Sequence, residues 1–533
     1  MATPSSTPTA GGITVPSKAH VASHEHPEAI PQKDQPVGNE SSIEEEKIHS
    51  SRASTEQGDD PTICDARSSK ASSITEKGND SDAPTKVVYS LPPEKKLSKG
   101  YRMLRHTVLT VYRRLFSIVW MANMSAFIYL QYTPNDINHR LFNIATAASA
   151  NLFIAVAIRQ DYIINILCEL CVLVPWGTPL RIRRIIAKVY EFGGLHSGAS
   201  TSCVFWLCYF TGYVTKTAAD GEFKDVRVLA MAYLICMLFL SIVIFAMPFV
   251  RRRAHNAFER THRFAGWTTN AFFWALIIVL ASDIGKRKGQ PTGKTLISLP
   301  SFWLILANTI HTLLPWTPKY RLRKLHTIAE PLSSRAVRLH LKADIAEFYT
   351  IRISDSPLSE WHSFACFEDR TPIQGSTNSV IVAKAGDWTT KTIMKPRDYY
   401  WTRGQPTRGV LYMSLMFRNI VVVTTGSGIG PCLNLLALNG RKRPECRVLW
   451  STPFPEETYG SEVMETVKLA DKNALIWDTK KQGRPDMLGL TWQLYMESGA
   501  EAVFVISNPK VTKMVVYGME SRGVPAFGPV FDS

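Results

Sequence analysis

Apolar and polar positions alternate on different scales along this chain, and the changes of scale mark its parts. Residues 1–95 are rich in Ser, Thr, Pro, Glu, Lys and Asp, with hardly an aromatic before Tyr89. Such a stretch cannot bury enough apolar surface to offset its ordering entropy, so it reads as a disordered polar tail. No apolar signal-peptide core lies near Met1, which predicts a cytosolic tail. Residues 100–316 hold six apolar runs, at 115–133, 141–158, 197–215, 227–250, 264–283 and 295–316. At about 1.5 Å per residue each is long enough for a hydrocarbon core of about 30 Å, so a six-span α-helical membrane domain is expected. A shorter run, 162–176, is interrupted by Glu169 and predicts an interfacial or re-entrant helix.

After Trp316 the period shortens. VRLHLK (337–342), FYTIRIS (348–354), SFACF (363–367) and SVIVAKA (379–385) alternate like strands between turn residues, which predicts a small antiparallel β-barrel over 325–410. Over 415–533 the strand-like runs NIVVVTT, CRVLWS, ALIWD and EAVFVIS are separated by helical stretches near 431–439, 460–470, 485–498 and 509–521. That alternation predicts a doubly wound α/β domain with a parallel sheet of the nucleotide-binding kind.

Charge then orients the spans. The 533 residues carry 61 Lys+Arg against 45 Asp+Glu, a net charge of +16. No basic stretch has the aromatic interleaving or zinc spacing of a nucleic-acid module, so nucleic acid is not an expected partner. The positive charges flank apolar runs instead. Arg102, Arg105, Arg113 and Arg114 precede the first run, Arg181, Arg183, Arg184 and Lys188 the third, and Arg251 to Arg253, Arg260 and Arg263 the fifth. With six spans they share one side, which predicts a multi-pass protein in contact with membrane lipid, both termini cytosolic. The nine cysteines are scattered and do not suggest a disulfide framework; Cys168 and Cys171 read as small apolar residues rather than a metal site.

The strongest candidate for chemistry is Thr425-Gly426-Ser427-Gly428-Ile429-Gly430-Pro431, between a strand and a helix. A phosphate needs close backbone approach and free N–H groups at a helix start. Glycines permit both, so this loop is the expected pyrophosphate cradle.

The order of parts, opening its last domain with this loop, resembles the ferric reductase and NADPH oxidase superfamily of membrane flavoproteins. Fungal TmpA-type integral membrane proteins are the nearest in kind, a module also found at the end of some fungal nonribosomal-peptide-synthetase-like proteins. Gly386-Asp387-Trp388-Thr389 is similar to the superfamily's GDWT segment after the flavin-binding strand, and Gly483-Arg484-Pro485-Asp486 to its GRP segment facing the nicotinamide nucleotide. The resemblance implies a ferredoxin-reductase-like cytosolic half binding FAD and NAD(P)H. It implies flavin contacts from His362 and Phe364, charge from Lys384, backbone donors from Gly386 to Thr389, a nucleotide contact from Arg484, and shielding of the flavin by Phe531. The family's His-Pro-Phe-Thr stands here as His362-Ser363-Phe364-Ala365, and its Cys-Gly-Pro as Ser507-Asn508-Pro509, which removes a flavin-bonding hydroxyl and a nicotinamide-positioning segment.

The same superfamily holds two b-type haems through histidine pairs on two spans, about fourteen residues and so roughly 21 Å apart. Here His196 opens the third span and His262 the fifth, but Phe210 and Leu276 occupy the outer positions. The resemblance leaves a single haem held by His196 and His262; the alternative is a pair of interfacial histidines bonded to headgroups or loop residues. The expected function is a membrane flavoprotein oxidoreductase passing electrons from NAD(P)H through FAD to an unidentified cytosolic-side acceptor, without full transmembrane transfer. The alternative is a catalytically degenerate reductase-like protein with a regulatory role in fungal development or secondary metabolism. A transporter would explain none of the C-terminal motifs.

Overall fold

Helices follow the apolar runs, though not one for one. A computed structural model describes residues 90–95, 98, 100–101, 104–134, 136–318, 321–438 and 443–530; the polar tail lies almost wholly outside them. Helices α1 (Val111–Tyr132), α2 (Ile137–Ala157), α3 (Asp161–Val172), α4 (Leu180–Ile186), α5 (Gly193–Ala219), α6 (Val226–Ala246) and α7 (His255–Lys288) come first. Thr110, Asp136 and Asp225 start α1, α2 and α6 by accepting a backbone N–H two or three residues on. By length and composition, α1, α2, α6 and α7 could each cross a membrane.

Two expectations change, and a third gains partners. The run 197–215 is a helix of sufficient length, but its Ser, Thr and Gly content keeps α5 out of that set. It is instead a centre of packing, where Gly194 lets the α1 backbone come so close that a Cβ would stand 1.9 Å from the Tyr112 carbonyl. The run 295–316 is not one straight span. It breaks into α8 (Thr292–Ser298) and α9 (Pro300–Leu313), and the two parts are bent by 74°. Pro300 cannot donate to a continuing helix and disfavours helical backbone before it, and Leu299 is accordingly extended. The run 162–176, expected to be interfacial or re-entrant, forms α3 and lays one face on the C-terminal half. Asp161 accepts from Arg352 (2.7 Å) and from the Gln405 N–H (2.9 Å), Asn165 bonds the backbone at 406 and 408, and Tyr412 donates to Glu169 (2.8 Å). Cys168 is buried in the same core as Phe348, Leu433 and Trp450. The opposite face of α3 leaves Ile166 and Leu170 exposed. Among the described cysteines Cys208, on α5, is the exposed one.

The C-terminal half has two sheets. β1 (Arg323–Ser333), β2 (Ala336–Leu341), β3 (Tyr349–Ser354), β4 (His362–Ala365), β5 (Phe367–Glu368), β6 (Asn378–Ala383), β7 (Tyr399–Thr402) and β8 (Thr407–Arg408) pair antiparallel in the order β4-β3-β7-β1-β2-β6-β5, with β8 on β3. This is the expected barrel-like layer, with β1, β7 and β8 added to the strands the pattern predicted. Helix α10 (Asp387–Met394) follows β6. Then β9 (Asn419–Thr425), β10 (Glu445–Thr452), β11 (Leu475–Asp478), β12 (Ala502–Ile506) and β13 (Ala526–Phe527) form a parallel sheet ordered β11-β10-β9-β12-β13. Helices α11 (Ile429–Leu436), α12 (Ser461–Ala470), α13 (Met487–Ser498) and α14 (Pro509–Glu520) alternate with its strands. The chain winds outward from β9 in both directions, so the crevice of a doubly wound sheet opens where β9 meets β12.

Candidate functional site

The glycine loop sits at that crevice. β9 ends at Thr425, Gly426 turns the chain with φ +51°, and α11 begins at Ile429. Across the reversal, β12 ends beside it and runs into Ser507-Asn508-Pro509. The two loops are tied together: Thr424 Oγ1 donates to the Ile506 carbonyl (2.8 Å), and the Thr425 and Ser507 hydroxyls share a short hydrogen bond. Gly428 has no room for a side chain, since a Cβ would stand 2.3 Å from the Ile506 oxygen. Gly430 faces Ile381 of the barrel-like sheet at ordinary contact distance. Asn508 caps α14 by accepting from Lys510 and Val511, so a second helix start also opens at this edge. Ser427, Ile429 and Pro431 complete the α11 entry. Arg484 is exposed on the loop after β11, two strands away from β9.

The second group gathers around α10. His362, on β4, stacks on Trp388 with ring centres 4.2 Å apart and planes 23° apart, and Phe364 lies 6.0 Å from the same indole. Sequence spacing alone does not show that these three rings meet. Thr389 Oγ1 accepts from the N–H groups of Ala385 and Gly386, both 2.9 Å, which closes the turn. Lys384, Gly386 and Asp387 are exposed, and nothing crowds Gly386. Two buried polar atoms here have no hydrogen-bond partner, His362 Nε2 and Trp388 Nε1; Glu360 is 3.7 Å from the imidazole, too far to bond. Burial pushes the His362 pKa down against the pull of Glu360 and Glu259, so the ring is neutral near pH 7. A ligand edge that supplied one acceptor and one donor would satisfy both atoms, so the residues present fit a flavin. Phe531 lies outside the described residues.

The third group brings the expected pair His196 and His262 together, in a cavity that no motif announced. A cavity of about 740 Å³ opens between the helical bundle and the barrel-like sheet, lined among others by His196, His255, His262, Arg159, Arg252 and Arg403. His196 and His262 rings lie 6.1 Å apart, and the Nδ1 of His196 bonds the Ala155 carbonyl at 2.8 Å, which leaves its Nε2 for the cavity. Arg403 is clamped between Trp316 (4.6 Å) and Trp361 (4.7 Å). Burial, then the neighbouring Arg352 and Arg263, bring its pKa down to about 9 against the pull of Glu259 and Asp161, which are paired with Arg263 and Arg352 rather than with Arg403. Paired imidazoles with arginines around them suit an iron porphyrin with carboxylate arms, so the residues fit a single haem.

Comparison with known proteins points away from that superfamily. Residues 410–533 match the model of the C-terminal domain of adenylate-forming reductase 03009. Over 445 residues the chain is 43% identical to adenylate-forming reductase 03009 of Coprinopsis cinerea, covering 83% of this chain and 42% of that protein. Adenylate-forming reductase 06235 of the same organism is also 43% identical, over 446 residues, with the same coverage. The chain spans less than half the length of these curated relatives. Among solved structures, ferredoxin-NADP+ reductase from Plasmodium falciparum aligns with 41% of this chain and 99% of its own, at TM-score 0.32 and 12% identity. Flavohemoglobin from Malassezia yamatoensis aligns with 78% of this chain and 98% of its own, at TM-score 0.33 and 12% identity.

The expected membership in the ferric reductase and NADPH oxidase superfamily, nearest to TmpA-type proteins, is thus corrected: the family model and both curated relatives are adenylate-forming reductases. The physical reason is that the GSGIGP loop, the GDWT turn and the GRPD turn are backbone devices for starting helices. They report a kind of fold rather than one lineage within it.

Proposed function

We propose that this chain is a membrane-anchored, flavin- and nicotinamide-dependent reductase unit, with its C-terminal half on the cytosolic side. The observation that carries the reading is the glycine loop at the strand-order reversal, tied to the Ser507–Pro509 turn, where a dinucleotide's pyrophosphate is received in doubly wound sheets. The orphaned His362 and Trp388 atoms support a flavin nearby, and the name of the relatives, reductase, agrees. FAD, when bound, supplies the step from two-electron hydride chemistry to one-electron transfer. The chain's own part is to orient. Gly426 to Gly430 present N–H groups to phosphate, Lys384 offers charge at the open start of α10, and Arg484 lies over the C-terminal edge of the sheet for the nicotinamide nucleotide. His196 and His262 would hold one haem, with Arg403 and Arg159 pairing its carboxylates. With Phe210 and Leu276 at the outer positions, electrons stay on the side where they enter. The membrane reading rests on α1, α2, α6 and α7 and on the basic residues that flank them.

The test is an absorption spectrum of the full chain purified in detergent, oxidised and dithionite-reduced, followed by NAD(P)H-dependent ferricyanide reduction. Flavin bands with dye reduction are expected, together with a reduced b-type band; a colourless protein that reduces nothing sinks the reading. A degenerate, regulatory role is the second reading, favoured by the Thr389, Thr425 and Ser507 hydroxyls being spent on one another and on the backbone. Flavin bands without turnover would select it.

A further inference from the structure

A second large cavity, about 870 Å³, lies away from the histidines, between the start of α1, the α4 region and α14 of the parallel-sheet domain. Eight Lys or Arg side chains line it against two carboxylates, Glu191 and Glu520. The carboxylates are already engaged: Glu520 pairs with Lys188 (2.8 Å) and Arg184 (3.2 Å), and Glu191 lies 3.7 Å from Lys188. Arg113 and Arg114 donate to the backbone at Val108 and Leu109. Among the described residues neither these two nor Arg181 has a carboxylate within ion-pair distance. The positive charge of Arg113, Arg114 and Arg181 calls for a multiply charged anion, and their guanidinium forks suit phosphate oxygens.

Placement decides the source of that phosphate. The rim includes Leu109, Val111 and Ile185, and Ile182 and Ile185 are exposed beside it, 47% and 74%. The same rim is where α1, one of the four helices apolar enough to cross a membrane, begins. Charge on the inside and an apolar border at a helix entering lipid are the two halves of an amphiphile. We infer that this cavity binds an anionic phospholipid whose headgroup carries phosphomonoesters, its acyl chains lying along α1 and Ile185. A headgroup seated there touches both the bundle and α14, so it fastens the nucleotide-binding domain to the bilayer surface. The inference rests on the membrane part of the proposed function and on none of its redox part.

The experiment follows thermal unfolding of the full chain in detergent with three probes: dioctanoyl phosphatidylinositol bisphosphate, inositol trisphosphate, and dioctanoyl phosphatidylcholine. The first is expected to raise the melting temperature saturably, with the other two far weaker. Arg113→Gln and Arg181→Gln, made separately, are each expected to lower the apparent affinity about fivefold, the effect of one basic residue at an anionic surface. Both residues are exposed at helix starts, so the variants' own melting temperatures check their folding. An equal response to inositol trisphosphate overturns the lipid in favour of a soluble phosphate. An equal response to phosphatidylcholine, or variants with unchanged affinity, overturns the site. Loss of flavin or of dye reduction leaves this readout untouched, so the two readings fail separately.

Discussion

At the scale of single residues, the three loop glycines do different work. Gly428 is fixed by the neighbouring strand, for its Cβ would also meet Thr424 Oγ1 at 2.6 Å, whereas nothing crowds Gly426, which needs glycine for its positive φ. Gly428→Ala must therefore push α11 off β12. The expected cost is about 1–3 kcal/mol of stability, as for overpacking, with nicotinamide-nucleotide affinity down at least about tenfold. Thermal melts and calorimetric titration would read the two separately. Gly426→Asn should be far milder, because Asn tolerates a left-handed backbone. The spacing of the glycines was legible in the sequence; the division of labour was not, since it depends on a strand some eighty residues further on. The stacking of His362 on Trp388 was hidden for the same reason.

At the scale of elements, run length was read well and run partners poorly. A stretch of apolar residues says that a helix is buried, not whether lipid or protein buries it. α3 shows the difference. Its Asp161, Asn165 and Glu169 recur at i, i+4 and i+8, a polar stripe that was visible in the sequence and marks a protein-facing side. Arg352→Ala strips Asp161 of its ion pair and leaves a carboxylate only 8% exposed. A loss of about 2–4 kcal/mol is expected, and the Asp161→Asn/Arg352→Ala double variant should recover part of it in a double-mutant cycle. The α8–α9 break was also in plain view as Pro300, and a length criterion alone passed over it.

On the scale of the whole molecule, the two sheets of the C-terminal half are joined by a buried charge cluster that no motif announced. Arg338 on β2, 2% exposed, reaches Asp369 (3.0 Å) and, across the domain boundary, Glu462 on α12 (3.0 Å). His340 bridges Asp369 (3.0 Å) and Glu330 (2.9 Å). Burial would raise the pKa of Asp369, but hydrogen bonds from His340, Ser379 and Ser376 and the charge of Arg338 hold it down to about 2. Burial would lower that of His340, but its bonds to Asp369 and Glu330 raise it. A carboxylate depressed in the folded state gives stability that is complete above its unfolded pKa, about 3.9, and is lost as pH falls through the folded value. A raised imidazole gives stability that is complete below about 6.5 and is lost as pH rises through its folded pKa. Both contributions coexist between about pH 4 and 6.5. The melting temperature is expected to peak in that window in a pH series, and Asp369→Asn should flatten the peak. Alternation in the sequence was enough to forecast two β layers; their cross-link was out of reach because its members come from three separate strands, the loop after β5 and a helix.

One exposed thiol has a practical use. Cys208 lies near the middle of α5 while the other described cysteines are shielded to a greater degree. Once Cys64 in the polar tail is changed to Ser, a nitroxide maleimide would settle chiefly at Cys208 on an otherwise native chain. Its collision rates with dissolved oxygen and with a water-soluble nickel chelate would then tell whether that point faces lipid, water or protein. The sequence brings its own reporter.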